Sequence, residues 1–335
     1  MEESERSRSL AVRYRPKAFA EVIGQPAIIS ILSRQIETHS FKNTYLFCGP
    51  SGCGKTTCAR IMANEINGHE GEPIEIDAAS NNGVDNIRQL IVDAQQTAID
   101  TTYKVYIIDE CHMLTTAAWN AALKLIEEPP SNAIFIFCTT NPNKIPETIL
   151  TRVQRFDFKR VSIEEITDRL EFILNEENFK DYDRDALRKI AYKANGFVRE
   201  AVSLLDKCKE QPITIDNISV TLGFVKDEIL FDLLKNIIDK NTTQALDIVK
   251  RLKLNESNLL TIVDNLLGFI IDCAKVQKTH QSTYGGISSD YENYLVNLKE
   301  DLIPFVDRVF KYRQLCDGTN ADVILDMIVL ELCGR

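Results

Sequence analysis

Residues 43–66 read NTYLFCGPSGCGKTTCARIMANEI, and the way this stretch divides decides the fold. The apolar run Tyr45 to Cys48 predicts a short buried strand. Gly49-Pro50-Ser51-Gly52-Cys53-Gly54-Lys55-Thr56 satisfies G-x-x-x-x-G-K-[ST] at every fixed position, and Ala59, Met62, Ala63 and Ile66 follow at helical spacing. A strand, a glycine-rich loop and a helix in that order make a phosphate loop. A triphosphate needs positive potential at close range from groups that occupy little volume. Gly49, Gly52 and Gly54 let the backbone curl with its N–H groups inward, and the dipole of the following helix adds positive character. Lys55 then reaches the β- and γ-phosphates, and the Thr56 hydroxyl is placed to bind Mg²⁺. The bland alternative is a glycine-rich turn before a helix, and the flanking strand and helix weigh against it.

Downstream, Val105-Tyr106-Ile107-Ile108 is a β-branched apolar run that ends in Asp109 and Glu110. A buried parallel strand delivers acids at its carboxyl edge in this way. Asp109 is then suited to hold Mg²⁺ through water, and Glu110 to polarise the water that attacks the γ-phosphate. An acidic pair after a strand is in isolation more often a helix cap; behind a complete phosphate loop the catalytic reading prevails. His112 could be a ligand, but a satisfied core or surface histidine is the simpler reading. A further buried strand, Ala133 to Cys138, ends in Thr139-Thr140-Asn141-Pro142, whose hydroxyls and amide suit a γ-phosphate or its water, a plain turn being the alternative. Arg152 precedes Gln154 to Phe158, which reads as a last strand. Between these strands, Asn67 to Pro73 is a dense turn signal, Ile74 to Asp77 a short strand, and Ala117 to Leu125 a helix stopped by Pro129-Pro130. Asn81-Asn82-Gly83 precedes a helix with Ile87, Leu90 and Ile91 and reads as a capped start with exposed N–H groups, suited to a backbone phosphate, though most capped helices bind only water.

The chain of 335 residues has room for two or three domains, and 44% hydrophobic with 26% charged residues is ordinary for a globular protein. Apolar runs fall short of a membrane span, and the charged start MEESERSRSL lacks a signal-peptide core, so a cytosolic protein without a membrane partner is expected. A net charge of −10 argues against a uniformly basic nucleic-acid binder but leaves room for a local phosphate-facing surface. Nine cysteines are scattered with no C-x-x-C pair, which predicts buried free thiols, Cys53 in the loop being the accessible one.

A second unit opens near Val161. Ser162-Ile163-Glu164-Glu165 fits a capping box, and helical periodicity runs through Leu170 and Ile173, then Leu187, Ile190 and Ala191, to a stop at Asn195-Gly196. Val198 to Val202 opens the next helix. A third unit starts near Thr221, with helical faces at Leu230, Leu233, Leu234 and Ile237, at Ala245, Ile248, Val249 and Leu252, from Leu259 to Ile271, and from Val323 to Leu332; the polar run near Gly285 is its one obvious long loop.

Taken together, Tyr14-Arg15-Pro16, Val22-Ile23-Gly24-Gln25, GPSGCGKT, IEIDAASNNGVDNIR, KVYIIDECHML, LKLIEEPP and TTNP resemble the ATPase subunit of the bacterial clamp loader, the gamma/tau subunit family of DNA polymerase III. The resemblance is dense from Leu10 to Phe158, thins through Ala201, and persists beyond only as helical character. It implies an α/β then all-α chain of the AAA+ class: a nucleotide-binding domain with a parallel sheet over 1–160, a small helical lid over 161–220 and a helical collar for oligomerisation over 221–335. It further implies ATP and Mg²⁺ as ligands, and a five-membered assembly with other clamp-loader subunits that opens a sliding clamp and closes it on primer-template DNA.

Carried over by motif, Thr140 looks like sensor 1, Arg152 like the arginine finger acting in trans, and Arg199 like sensor 2. Arg15, Pro16, Val22 and Ile23 would line the adenine side. Gly49 to Thr56 with Thr57 would hold the phosphates, Thr56 and Asp109 the Mg²⁺, and Asn81, Asn82 and Gly83 would face DNA. Three departures qualify this. The four-cysteine zinc module that follows the phosphate-loop helix in the family is replaced by the short turn NGHEGEP, so no zinc is expected. The finger motif Ser-Arg-Cys is here Thr151-Arg152-Val153, and the long polymerase-binding tail of the tau form is not expected, the sequence ending at Arg335. A compact version of this kind fits a virus or a divergent bacterium alike, in the cytoplasm of the bacterial or infected host cell. Two alternatives compete with the clamp-loading ATPase. One is another AAA+ DNA motor, such as a branch-migration helicase; the other is a scaffold that binds nucleotide without turning it over.

Overall fold

A computed structural model describes residues 8–96, 101–255, 259–280, 289–317 and 319–334. Contacts divide the chain into two compact units, Met1–Ile173 with Ala194–Asp206, and Leu174–Lys193 with Lys207–Arg335.

In the first unit five strands, β1 (Thr44–Cys48), β2 (Ile74–Asp77), β3 (Lys104–Asp109), β4 (Ala133–Thr139) and β5 (Gln154–Asp157), form one parallel sheet in the order β2-β3-β4-β1-β5. The three central strands are buried along most of their length because both faces are covered, as parallel sheets require. Alternation decides which residue goes where. Leu46, Cys48, Tyr106, Ile108, Phe135 and Phe137 pack with Ile87 and Leu90 of a helix at Val84–Ala94 and with Ala118, Trp119 and Ala122 of a helix at Thr116–Glu127. Tyr45, Phe47, Val105, Ile107, Ile134 and Ile136 pack on the other face, with Ile28 and Leu32 of a helix at Pro26–Glu37 and with Cys58, Ala59, Ile61 and Met62 of a helix at Lys55–Ile66. In chain order these helices are α2 (Pro26–Glu37), α3 (Lys55–Ile66), α4 (Val84–Ala94) and α5 (Thr116–Glu127), following a one-turn α1 (Leu10–Arg13). The edge strand β2 is mostly exposed, as its alternation of Ile with acids allows.

A short α6 (Glu147–Leu150) precedes β5, and α7 (Ile163–Glu176) follows it. The capping box forms as read: the Ser162 backbone N–H and hydroxyl donate to Glu165 Oε2 at 3.1 and 2.6 Å, and Glu165 N–H returns a bond to Ser162 Oγ at 3.3 Å. After α8 (Arg184–Lys193), Asn195 and Gly196 take positive φ of 52° and 84°, which ends helical geometry before α9 (Val198–Cys208).

The second unit is helical. Its core joins α11 (Asp227–Ile238), α12 (Thr242–Asn255), α13 (Leu259–Thr279), α15 (Ile303–Leu315) and α16 (Ala321–Cys333), with α10 (Ile215–Leu222) before them and α14 (Ser289–Val296) between. Helix α13 runs eight residues past Ile271, because Cys273, Ala274 and Val276 still find the core. Helices α14 and α15 were not expected from periodicity. The long loop expected at Gly285–Asp290 falls largely outside the described residues. No helix among those described is long and apolar enough to cross a membrane.

All nine cysteines are buried and free. This corrects the expectation for Cys53, which is only 2% exposed: its thiol turns inward and donates to the Pro50 carbonyl at 2.9 Å, and burial raises its pKa. On α3, burial pushes the Cys58 thiol up to about 12.

Two outcomes follow for the folded chain. Because burial favours the neutral thiol, a thiolate-directed alkylating reagent at mildly alkaline pH should modify native protein slowly at every cysteine, Cys53 included, and modify all nine only in denaturant; mass spectrometry of labelled peptides reads this. Leu266 is 1% exposed inside the helical core, so Leu266→Ala should lower stability by about 2–5 kcal/mol in denaturant unfolding.

Candidate active site

The parallel register brings four strand ends to one edge. Cys48 pairs with Thr139 and with Asp157, and β3 ends beside them at Asp109. Crevices at such edges take ligands. Gly49 leaves β1 with its N–H donating to the Thr139 carbonyl at 3.1 Å, while the Phe158 N–H donates to the Cys48 carbonyl at 2.7 Å. A side chain at Gly49 has no room: a Cβ there would meet the Phe158 carbonyl oxygen at 2.6 Å, and φ is +149°. Gly54, at φ +101°, caps α3 with no side-chain hydrogen bond, so the amides of the first turn are offered by backbone alone.

Lys55 opens α3 and is only 6% exposed. Its ammonium donates to the Gly49 and Pro50 carbonyls at 2.9 and 2.8 Å, held over the loop it belongs to. Thr56 Oγ1 donates to Asp109 Oδ2 at 2.8 Å, and the Glu110 N–H donates to Asp109 Oδ1 at 3.0 Å. A hydroxyl that gives its proton to a carboxylate keeps its lone pairs for a cation, so Thr56 and Asp109 form an oxygen donor set that fits Mg²⁺.

Glu110 stands at φ 46°, the left-handed region, which costs a side-chain-bearing residue about 1–3 kcal/mol. Its Oε2 accepts from the Thr140 hydroxyl at 2.9 Å and lies 3.3 Å from His112 Nδ1. His112 is a largely buried, partnered histidine, in keeping with the simpler reading.

An open cleft of about 1000 Å³ at this edge is lined by Arg15, Pro16, Val22, Ile23, Ser51 to Thr57, Asp109, Glu110 and Arg199, all singled out from sequence. Tyr14, Glu21, Arg169, Val198 and Val202 join them without having been assigned a role. Tyr14 could have been found from its place beside Arg15-Pro16, and Val198 and Val202 from flanking Arg199. Arg169 carries no motif; it is brought in by packing, its guanidinium donating to the Tyr14 carbonyl at 2.8 Å and lying 5.0 Å from the Phe172 ring centroid. Burial lowers the pKa of Arg169, and burial lowers that of Arg15, helped by repulsion from Arg60 and Arg199. Asp109 is also within electrostatic reach of Arg15, so this guanidinium stands with the groups suited to phosphate. Four cations, Lys55, Arg15, Arg169 and Arg199, thus face Asp109, Glu110 and Glu21 in a chain of net charge −10. Tyr14, Pro16, Val22, Ile23, Val198 and Val202 supply apolar walls suited to a flat base.

Gly49 and Pro50, whose carbonyls hold Lys55, are not on the lining, and three further groups lie away from it. Thr140 faces Glu110 and is not on the cleft wall. Arg152 is paired with Glu127 at 2.7 Å and donates to the Thr148 carbonyl at 2.7 Å. At α4 the cap is Gly83 with no side-chain hydrogen bond, and Asn81 turns back to donate to the Asp77 carbonyl at 3.1 Å. Asn81 and Asn82 are exposed there.

Residues 69–162 match the family model described as "DNA polymerase III, delta subunit", and residues 165–208 match "DNA polymerase III clamp loader subunit, ATPase lid domain". The tau subunit of DNA polymerase III from Bacillus subtilis is 36% identical over 77% of this chain and 50% of its own length. The gamma subunit from Buchnera aphidicola is 32% identical over 72% of this chain and 74% of its own length. The chain spans about half the length of the first curated relatives it matches. Among solved structures, Thermotoga maritima RuvB, described as a Holliday junction branch migration motor, shares the fold at a TM-score of 0.54 and 21% identity over 67% of this chain and 79% of that one. Fold, phosphate cradle and relatives agree, and the chain belongs to the gamma/tau subunit family of DNA polymerase III, in the AAA+ class.

Proposed function

We propose that this chain is the ATP-hydrolysing motor subunit of a sliding-clamp loader, stimulated by clamp and DNA, which opens a ring clamp and sets it on primer-template DNA. The observation that carries the catalytic part is the Thr56–Asp109–Glu110 arrangement beside a buried Lys55 on a phosphate loop. In this reading Thr56 and Asp109 would hold Mg²⁺, which would supply charge neutralisation at the phosphates. Lys55 and the first-turn amides of α3 grip the β- and γ-phosphates. Glu110 orients and polarises the attacking water, and Thr140 holds the carboxylate that does so. Arg199 with Arg15 and Arg169 balances the triphosphate charge, while Val22, Ile23 and Tyr14 sandwich the base.

Arg152 acts on a neighbour's nucleotide. Its exposed pairing with Glu127 keeps it on the surface of its own subunit, and exposed pairs of this kind exchange partners at little cost. The regions 1–160, 161–220 and 221–335 serve as motor, lid and oligomerising collar of a five-membered assembly, and Asn81, Asn82 and Gly83 present the start of α4 to a DNA phosphate. A branch-migration motor is the second reading. It rests on the RuvB likeness, which speaks for the fold alone, whereas the gamma and tau relatives are 32–36% identical over the residues they align with. A non-hydrolytic scaffold would not need Glu110 beside a complete cation and phosphate set.

Glu110→Gln should bind ATP normally and lose about 10²–10⁴-fold in turnover, measured in the reconstituted loader with clamp and primed DNA; wild-type turnover in that variant would refute the catalytic assignment. Arg152→Ala should bind nucleotide as wild type does and hydrolyse it more slowly only in the assembled complex, by about 10³-fold or more if it is the finger. Lost binding in the isolated subunit would mean that Arg152 serves its own chain.

A further inference from the structure

The left-handed turn at Glu110 has a consequence two residues on. At φ 46° the chain leaves the sheet and enters a single 3-10 turn, Cys111–Met113, which swings the His112 ring back against the acid that precedes it. Nδ1 then lies 3.3 Å from Glu110 Oε2 and 3.2 Å from Thr139 Oγ1. Thr139 is fully buried at the end of β4, and its hydroxyl also accepts from the Asn141 N–H at 3.0 Å, so it is a fixed post.

These distances bear on which ring nitrogen carries the proton. A bare Nδ1 lone pair facing a carboxylate oxygen at 3.3 Å would set two acceptors against each other, so the geometry favours a proton on Nδ1, within reach of Glu110 Oε2 and Thr139 Oγ1. Glu110 Oε2 therefore receives two donors, the Thr140 hydroxyl and the His112 ring, which leaves Oε1 for a water.

We propose that His112 is a positioning residue for Glu110: through its Nδ1–H it ties the carboxylate to the buried Thr139 post and sets the rotamer in which Glu110 meets the attacking water. This rests on the reading of the site as an ATPase. A base held by one flexible hydroxyl samples several rotamers, whereas two donors from two different strand ends, β3 and β4, leave it one. Misplacing a catalytic group by about 1 Å costs on the order of a hundredfold in rate while leaving ground-state binding alone.

The test compares three variants in the same assembly that supports wild-type hydrolysis. His112→Ala should lower kcat about ten- to hundredfold with the KM for ATP within about twofold of wild type. His112→Asn keeps an N–H donor near the Nδ1 position and should recover most of the rate. His112→Gln carries its donor near the Nε2 position and should behave like the alanine variant. Nitrogen-15 spectra of histidine-labelled protein give a readout that needs no turnover: wild type should show His112 with the proton on Nδ1, and Glu110→Gln should shift that signal. A kcat for His112→Ala within about twofold of wild type, equal rates for the asparagine and glutamine variants, or a wild-type Nδ1 without a proton would each overturn the proposal. Absence of hydrolysis by wild type in every assembly would instead overturn the ATPase reading beneath it.

Discussion

The register between β1 and its two neighbours governs this molecule. With Cys48 opposite both Thr139 and Asp157, the chain leaves β1 where β3 and β4 also end. The Gly49 N–H to Thr139 bond and the Phe158 N–H to Cys48 bond clamp the root of the phosphate loop from both sides. Phe158 closes the space above Gly49 so tightly that only glycine fits. Were the register slipped by one residue, every side chain of β1 would change faces and the loop would part from Asp109.

That edge is also where charge is concentrated. An acidic chain cannot attract a nucleotide by its overall field, so attraction must be local. Four cations and the amides at the start of α3 provide it, offset by the carboxylates of Asp109, Glu110 and Glu21. The lowered pKa of Arg15, from burial and from Arg60 and Arg199, is the electrostatic mark of cations gathered at one place, a cost that an arriving polyphosphate would relieve.

Backbone strain at Glu110 fits the same logic. A left-handed residue is held there because the amide donates to Asp109 while the side chain is fixed by Thr140 and His112. The acids of β3 are thereby given different surroundings. Asp109 accepts from groups of the loop helix and of its own backbone turn, and Glu110 accepts from the end of β4 and from the imidazole. One is prepared for a cation and the other for a water, on the proposed reading.

The residues of the first unit announce their own roles because they are local and patterned. The loop motif, the β-branched run before Asp109, the alternation that sorts each strand between two helix layers and the Ser162–Glu165 box are all set by neighbours a few positions apart, which is the range over which backbone geometry and side-chain period act. Other features depend on groups far away in the chain. The place of Cys53 in a loop suggests an open thiol, but the thiol turns in to the Pro50 carbonyl. Arg169 enters the cleft through the Tyr14 carbonyl, 155 positions earlier. The pairing of His112 with Thr139 waited on a strand 27 residues on. The amino-acid order thus determined the elements, the phosphate loop and the catalytic acids, whereas only the folded sheet decided which distant side chains surround them, since those contacts arise from strand register and packing rather than from local pattern.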